Sequence, residues 1–311
     1  MAGSTRGCAM TADLAAADSA ISLRAEMARA RRRRALQLLR RLVGHPSFLV
    51  GALILALFVA VAVLAPLIAP YDPNKNNYRY VLMPPSAQFW FGTDAYGRDI
   101  LSRVLYGTRV SLLISALVVI CTGILGTLLG TLASYVRPLD GIVMRGLDGL
   151  MAFPGVLLAI ALAAALGPSA TTVVIALTVT FTPRTARVVR SGVIVVQGMQ
   201  YVEAAQAVGA GHARIILRYI LANALSPLIV QLTFVFAVSI IAEAILSFLG
   251  VGPPPPAASL GNIIADGRSY IQEAWWIAVF PGAVIAVAVL GLNLMGDGLR
   301  DIIDPRQRNE R

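Results

Sequence analysis

One lysine, two histidines and two cysteines stand among 311 residues, and only 14% of the chain is charged. Each shortage removes a class of protein. The lone lysine, Lys75, sits in DPNKNN with no glycine nearby. A Walker A loop needs glycines and an ammonium to hold phosphates, so the chain is not its own P-loop ATPase. His45 and His212 are far apart, whereas a zinc-protease helix needs two histidines four residues apart. Neither lies in an apolar run beside a serine or aspartate, which removes an intramembrane protease. Cys8 and Cys121 are too few and too distant for a disulfide framework or a zinc cluster. Cys8 lacks the apolar stretch that precedes a lipoprotein cysteine, and Cys121 reads as a small buried hydrophobe. The first apolar run begins near Phe48, past the place of a cleavable signal peptide. The 16 acidic residues fall almost wholly outside the apolar runs, leaving no chain of carboxylates for a proton relay.

What is present is apolar: 57% hydrophobic residues and a mean hydropathy of +0.74. Soluble domains carry about a quarter charged residues, so this balance implies an all-α polytopic membrane protein. A bilayer core requires about 20 apolar residues per helix. Six runs meet that length: Phe48–Ala69, Val110–Leu132, Gly149–Leu166, Thr171–Val189, Ala224–Leu249 and Trp276–Met295. The third is interrupted by Pro154 and Gly155, which a packed membrane helix tolerates. With the basic N-terminal segment placed inside, six spans return both termini to the cytoplasm. The inside segments then hold 20 of the 26 basic residues and the outside loops five. That is the positive-inside bias. It also accounts for a net charge of +10 without a nucleic-acid partner. The run ARARRRR (Ala28–Arg34) could serve nucleic acid or nuclear targeting, but a basic flank of the first span is the simpler reading; Met10 and Met27 are alternative starts.

The resulting layout is a basic, partly disordered tail (1–46), a transmembrane domain (47–296) and a cytoplasmic C-terminal tail (297–311). Outside loops cover about 70–108 and 250–275. In the first, Asp99, Arg103 and Tyr106 fall at helical spacing and predict a short interfacial helix feeding the second span. In the second, the prolines of SFLGVGPPPP forbid helix, and EAWW suits the membrane surface.

A charged, glycine-punctuated stretch, EAAQAVGAGHARIILRYILANALSPLIV (Glu203–Val230), begins in the inside loop at about 190–222 and runs into the fifth apolar run. Val202–Val208 predicts a short helix stopped by Gly209, which accepts positive φ; His212–Leu221 predicts a second helix running into the fifth span. Glu203 sits near the positive end of the first helix dipole. Ala204, Ala205 and Ala207 leave little bulk, so another protein can approach closely. Arg214 and Arg218, four apart, share a face. A loop helix without a partner fits these residues equally well.

The same stretch resembles the EAA loop of bacterial ABC-importer permeases, with Glu203, Ala204, Ala205 and Gly209 in register and Ala222 where the pattern has proline. FGTDAYGRDILSRVLYGTRVSLL, LSFLGVGPPPP with SLGNIIADGRSYI, and WWIAVFPG through LNLMGDGLRDIIDPR are similar to the C-type subunit of dipeptide, oligopeptide and nickel permeases. Leu260 departs from the tryptophan common there. The resemblance implies a type I ABC-importer permease in the bacterial inner membrane, paired with a second homologous permease. It further implies two cytoplasmic ATPase subunits that bind ATP and Mg, and an external solute-binding protein. This chain would carry no cofactor or metal, catalyse nothing itself, and import short peptides. Nickel chelates, glutathione or an opine-like derivative are alternative cargoes. Glu203, Ala204, Ala205 and Gly209 would dock the ATPase, with Arg214 and Arg218 as weaker candidates.

Glu243 is the one acid clearly inside a span, and intramembrane charges are functional suspects. It can face the pathway, seal a gate by hydrogen bonding, or pack helices with a partner on the second subunit. Asp297, Arg300, Asp301, Asp304 and Arg306 can form local ion pairs as a cytoplasmic anchor; interleaved arginines and no histidine argue against a metal site. Gly123, Gly126 and Gly130 predict close packing of the second span. A secondary transporter or channel would also accommodate six spans, but it leaves the Glu203 loop unexplained.

Overall fold

Apolar runs separated by proline and glycine yield helices and turns throughout residues 42–303, which a computed structural model describes. The basic run Ala28–Arg34, Asp304 and Arg306 lie outside the described residues. No strand forms among those described, only an isolated bridge between Thr93 and Asp99. Helix α1 spans Pro46–Ile68, with proline in its first turn where no amide partner is needed. Most of its surface is unburied: Leu53, Leu57, Val63 and Leu67 are over half exposed. A helix with apolar side chains around its circumference requires an apolar solvent, which is the bilayer.

The second span begins earlier than expected. Instead of a separate interfacial helix, α2 runs unbroken over Ile100–Tyr135, 36 residues. At 1.5 Å per residue it is about 54 Å long and projects beyond the hydrocarbon core. Asp99 is its N-cap, accepting from Ser102 N at 2.8 Å, and this cap satisfies an otherwise orphaned amide. Nothing within the run is a proline, so the helix has no reason to stop at the membrane surface.

The third span is the largest departure. Helix α3 (Arg137–Met151) and helix α4 (Gly155–Leu166) meet at 89°. Pro154 is the N-cap of α4, and proline disfavours helical backbone in the residue before it, so the chain turns here. The 12 residues of α4 reach about 18 Å, short of the roughly 30 Å core. Among the described residues five helices are long and apolar enough to cross, or six if the bent pair counts as one crossing. Helix α3 is held to the next long helix, α5 (Ala170–Gln197), by Arg190, whose Nε and Nη2 each reach Asp140 at 2.7 Å, and by Arg187 on Asp148.

Of the glycine stripe of α2, Gly126 and Gly130 pack against α5, while Gly123 faces Leu232. A Cβ at Gly126 would lie 2.7 Å from Thr185 Cγ2, and one at Gly130 would lie 2.4 Å from the Ala186 carbonyl oxygen. Only a hydrogen fits there, and the two backbones therefore touch. After α5 come α6 (Gln200–Ala207), the long α7 (His212–Phe248), α8 (Leu260–Gly267) and α9 (Trp276–Ile303). Helix α7 is central, packing against α2, α5 and α9, and α9 packs along α1. Helix α9 continues to Ile303, so the segment from residue 297 begins as a helical extension of the last span. Within it, Asp301 lies 3.5 Å from His45 at the start of α1, and among the described residues it pairs with no neighbour on its own helix.

Candidate functional site

Two constellations stand out: the hairpin of α6 with the start of α7, and the buried carboxylate further along α7. In the hairpin, Val202 (fully buried) packs with Ile215 and Ile220 and with Val193 and Val196 of α5. That apolar underside fixes the hairpin to the bundle and leaves its other face to solvent. Glu203, Ala204, Gln206 and Ala207 are exposed, and Val208 is 84% exposed. Ala205 points the other way and is buried, so its small size serves the hairpin's own closure and not an outward surface.

Gly209 ends α6 at φ +79°, the left-handed region. Its N–H donates to Gln206 O at 2.9 Å, and Ala210 N donates to Ala205 O at 3.0 Å. These two bonds form a Schellman motif, which satisfies the carbonyls left open at a helix C-terminus. Arg214 and Arg218 are both exposed, and neither forms an ion pair with Glu203 among the described residues. The hairpin thus presents an acid, small side chains and two arginines, none tied down.

Sequence reasoning missed two features here. Tyr135, the last residue of α2, lies with its hydroxyl 2.5 Å from His212 Nδ1, joining α2 to the first turn of α7. The next residues, Ile215–Ile220, are π-helical. A π-turn widens the helix by one residue per turn and often marks a functional segment. Neither was legible, because a contact between residues 77 apart has no local pattern and a π-turn has no composition.

Glu243 has no exposed surface. Its Oε2 accepts from Ser111 Oγ of α2 at 2.7 Å and its Oε1 from Ser247 Oγ at 2.7 Å. Leu260 N, at the start of α8, approaches Ser111 Oγ at 3.4 Å. These partners lie in this chain, and they join α7, α2 and α8 around one side chain. Buried acceptors so satisfied specify one arrangement of their helices. Replacing Glu243 by glutamine keeps the shape and an acceptor; replacing it by alanine removes both acceptors and opens a cavity. Glu243→Ala should lower stability by about 2–4 kcal/mol, with Glu243→Gln well under half of that. Melting of the two variants in detergent checks this; equal melting temperatures would show the serines do not depend on the carboxylate. Uptake, subunit assembly and ATPase coupling all intact in Glu243→Gln would end the reading of Glu243 as a pathway or gate residue.

Comparison with known proteins agrees with this architecture. Residues 122–309 match the family described as binding-protein-dependent transport system inner membrane component. Residues 35–85 match the N-terminal TM domain of oligopeptide transport permease C. A Brucella abortus protein provisionally named a peptide transport system permease is 51% identical over 271 residues, 87% of this chain and 92% of that one. The di/tripeptide transport system permease of Pseudomonas aeruginosa is 42% identical, with 83% of this chain and 88% of the relative covered. Among solved structures, the inward-facing MetNI methionine ABC transporter superposes with a TM-score of 0.55 at 19% identity, over 66% of this chain and 98% of that one. An amino acid ABC transporter with histidines gives a TM-score of 0.52 at 18% identity, over 65% and 94%. The likeness in structure establishes the fold, and the sequence matches establish the kinship. The chain belongs to the binding-protein-dependent transport system inner membrane component family, the membrane permeases of ABC importers.

Proposed function

We propose that this chain is one of two paired permease subunits of an ATP-driven importer in the bacterial inner membrane, and that the cargo is short peptides. The peptide assignment is supported by relatives 40–51% identical over most of the chain and named for peptide, dipeptide or di/tripeptide transport. Location and orientation are supported by the family and by the bias of arginines toward the hairpin side, with both termini on the cytoplasmic face. ATP and Mg are bound by two partner ATPase subunits, and an external solute-binding protein delivers the peptide.

The observation that carries the mechanism is the exposed, Schellman-capped hairpin around Glu203 and Gly209. A rigid knob with small residues and an unpaired acid suits a cleft on an ATPase subunit. Helix α7 continues from that knob without a break to Glu243, so displacing the hairpin displaces the centre of the bundle. Tyr135 and His212 carry the same displacement sideways into α2. Closure of the ATPase pair on ATP turns the spans outward, and hydrolysis resets them.

Site-directed crosslinking tests this reading. In a chain freed of Cys8 and Cys121, a cysteine replacing Ala204 should crosslink to an ATPase subunit in inverted vesicles, and ATP should change the yield. Labelling of that cysteine only from the periplasmic side would overturn the topology and the coupling together.

A further inference from the structure

A separate group of charged residues lies beside the C-terminal end of α7, far along that helix from the hairpin, around a cavity of about 530 Å3. This volume lies within the about 300–1,000 Å3 typical of small-ligand sites. Its wall includes Arg98, Arg103 and Arg268 against one carboxylate, Asp266, with prolines 253–256 as an apolar side. The end of α7 and Pro168, in the turn between α4 and α5, complete it, which places the cavity where spans emerge. Asn262 Nδ2 donates to Pro253 O at 2.7 Å and holds the proline strip in place.

Few of the hydrogen-bonding groups are spent. Arg98 uses Nε on Asp94 and Nη2 on Asp266, at 2.6 and 3.0 Å. Arg103 makes both of its ion contacts, to the same two acids, through Nη1 alone, and its Nε is buried with no partner. Asp266 accepts only at Oδ2, and its side chain is 38% exposed. Arg268 is exposed and has no ion pair among the described residues. The cavity therefore offers an open guanidinium and an open carboxylate oxygen beside an apolar wall.

We propose that this cavity is an outer receiving site for short zwitterionic peptides, a subsite that rests on the peptide reading above. Arg268 takes the α-carboxylate as a two-pronged donor. Asp266 Oδ1 accepts from the α-ammonium, and the prolines lie against the side chains. An acidic loop of a protein would need the cations but would have no use for the open carboxylate oxygen. A half-open cavity with both signs of charge suits a small molecule carrying both.

The test uses the full chain, co-expressed with its partner subunits and held in nanodiscs, with dialanine, dialanine amide and N-acetyl-dialanine as probes. Dialanine should bind at least about tenfold more tightly than either blocked form, a difference of about 1.4 kcal/mol. Arg268→Gln should abolish the preference for the free acid and leave the preference for the free amine. Asp266→Asn should do the reverse, and Arg268→Lys should keep part of the acid preference. Equal binding of all three probes overturns the site. So does an unchanged acid preference in Arg268→Gln, including the case where that variant loses only its association with an external protein. ATP-dependent peptide uptake, measured in parallel, separates this failure from failure of the importer reading: uptake can persist without the subsite, and its absence would remove the reading whatever the cavity binds.

Discussion

A chain carrying Glu203→Lys together with Gly209→Pro should lose ATP-driven uptake while still reaching the membrane in normal amount. Gly209 holds φ at +79° and donates its amide to Gln206 O. Proline fixes φ near −65° and has no N–H, so it cannot adopt this conformation or make this bond; such a conflict costs about 3 kcal/mol or more. At 1.4 kcal/mol per decade, that depletes the native hairpin by about a hundredfold. Glu203→Lys adds a cation at the positive end of α6 and reverses the charge of the exposed knob. The two changes touch neither the core nor any apolar run, so insertion is expected to survive. Uptake of labelled dialanine, normalised to the permease in the membrane fraction by immunoblot, is the measurement. Normal transport by the double variant would rule out the hairpin as the coupling element.

The second large effect concerns stability. Asp94 is 1% exposed and holds two enclosed arginines, Arg98 Nε and Arg103 Nη1, each at 2.6 Å. Asp94 also accepts at Oδ1 from Tyr96 N and Arg98 N, and it therefore organises the turn that precedes α2. Asp94→Ala leaves both guanidinium groups buried with only the shared Asp266 to face. Removing one partner of a buried pair costs about 3–5 kcal/mol, because the charge left behind has neither water nor a counterion. A melting temperature lower by about 10 °C is expected for the purified chain. Adding Arg103→Met should recover part of the loss, since the burial penalty of that cation then disappears. A melting temperature unaltered in Asp94→Ala would mean that water reaches the cluster and that the pairs are only superficial.

These two sites differ in how far they can be read without coordinates. The hairpin is local: helix, positive-φ glycine and second helix follow one another within twenty residues, and the stop at Gly209 follows from its missing Cβ. The stripe Gly123, Gly126 and Gly130 is similar, since spacing alone places it on one face. By contrast, Asp94 and Arg98 show an ordinary four-residue spacing, and nothing along the chain announces that Asp266, over 160 residues later, completes their cluster. Glu243 was conspicuous as an acid in an apolar run, but its serine partners on α2 and on its own helix were not. The inward orientation of Ala205 was equally hidden, because alanine suits a crowded underside as well as an open surface.

Composition and periodicity by themselves determined that this is an all-α chain for an apolar solvent, with its arginines biased to one side and a glycine-stopped hairpin between spans. These properties follow from hydrophobic run length and from backbone preferences, both of which act over a few residues. Only the tertiary structure decided that the third apolar run turns by 89° near Pro154, that α2 continues uninterrupted from Asp99, and that Asp94, Arg98, Arg103 and Asp266 converge. Such outcomes depend on which distant side chains meet once the helices pack, and burial then sets their energies far from their values in water.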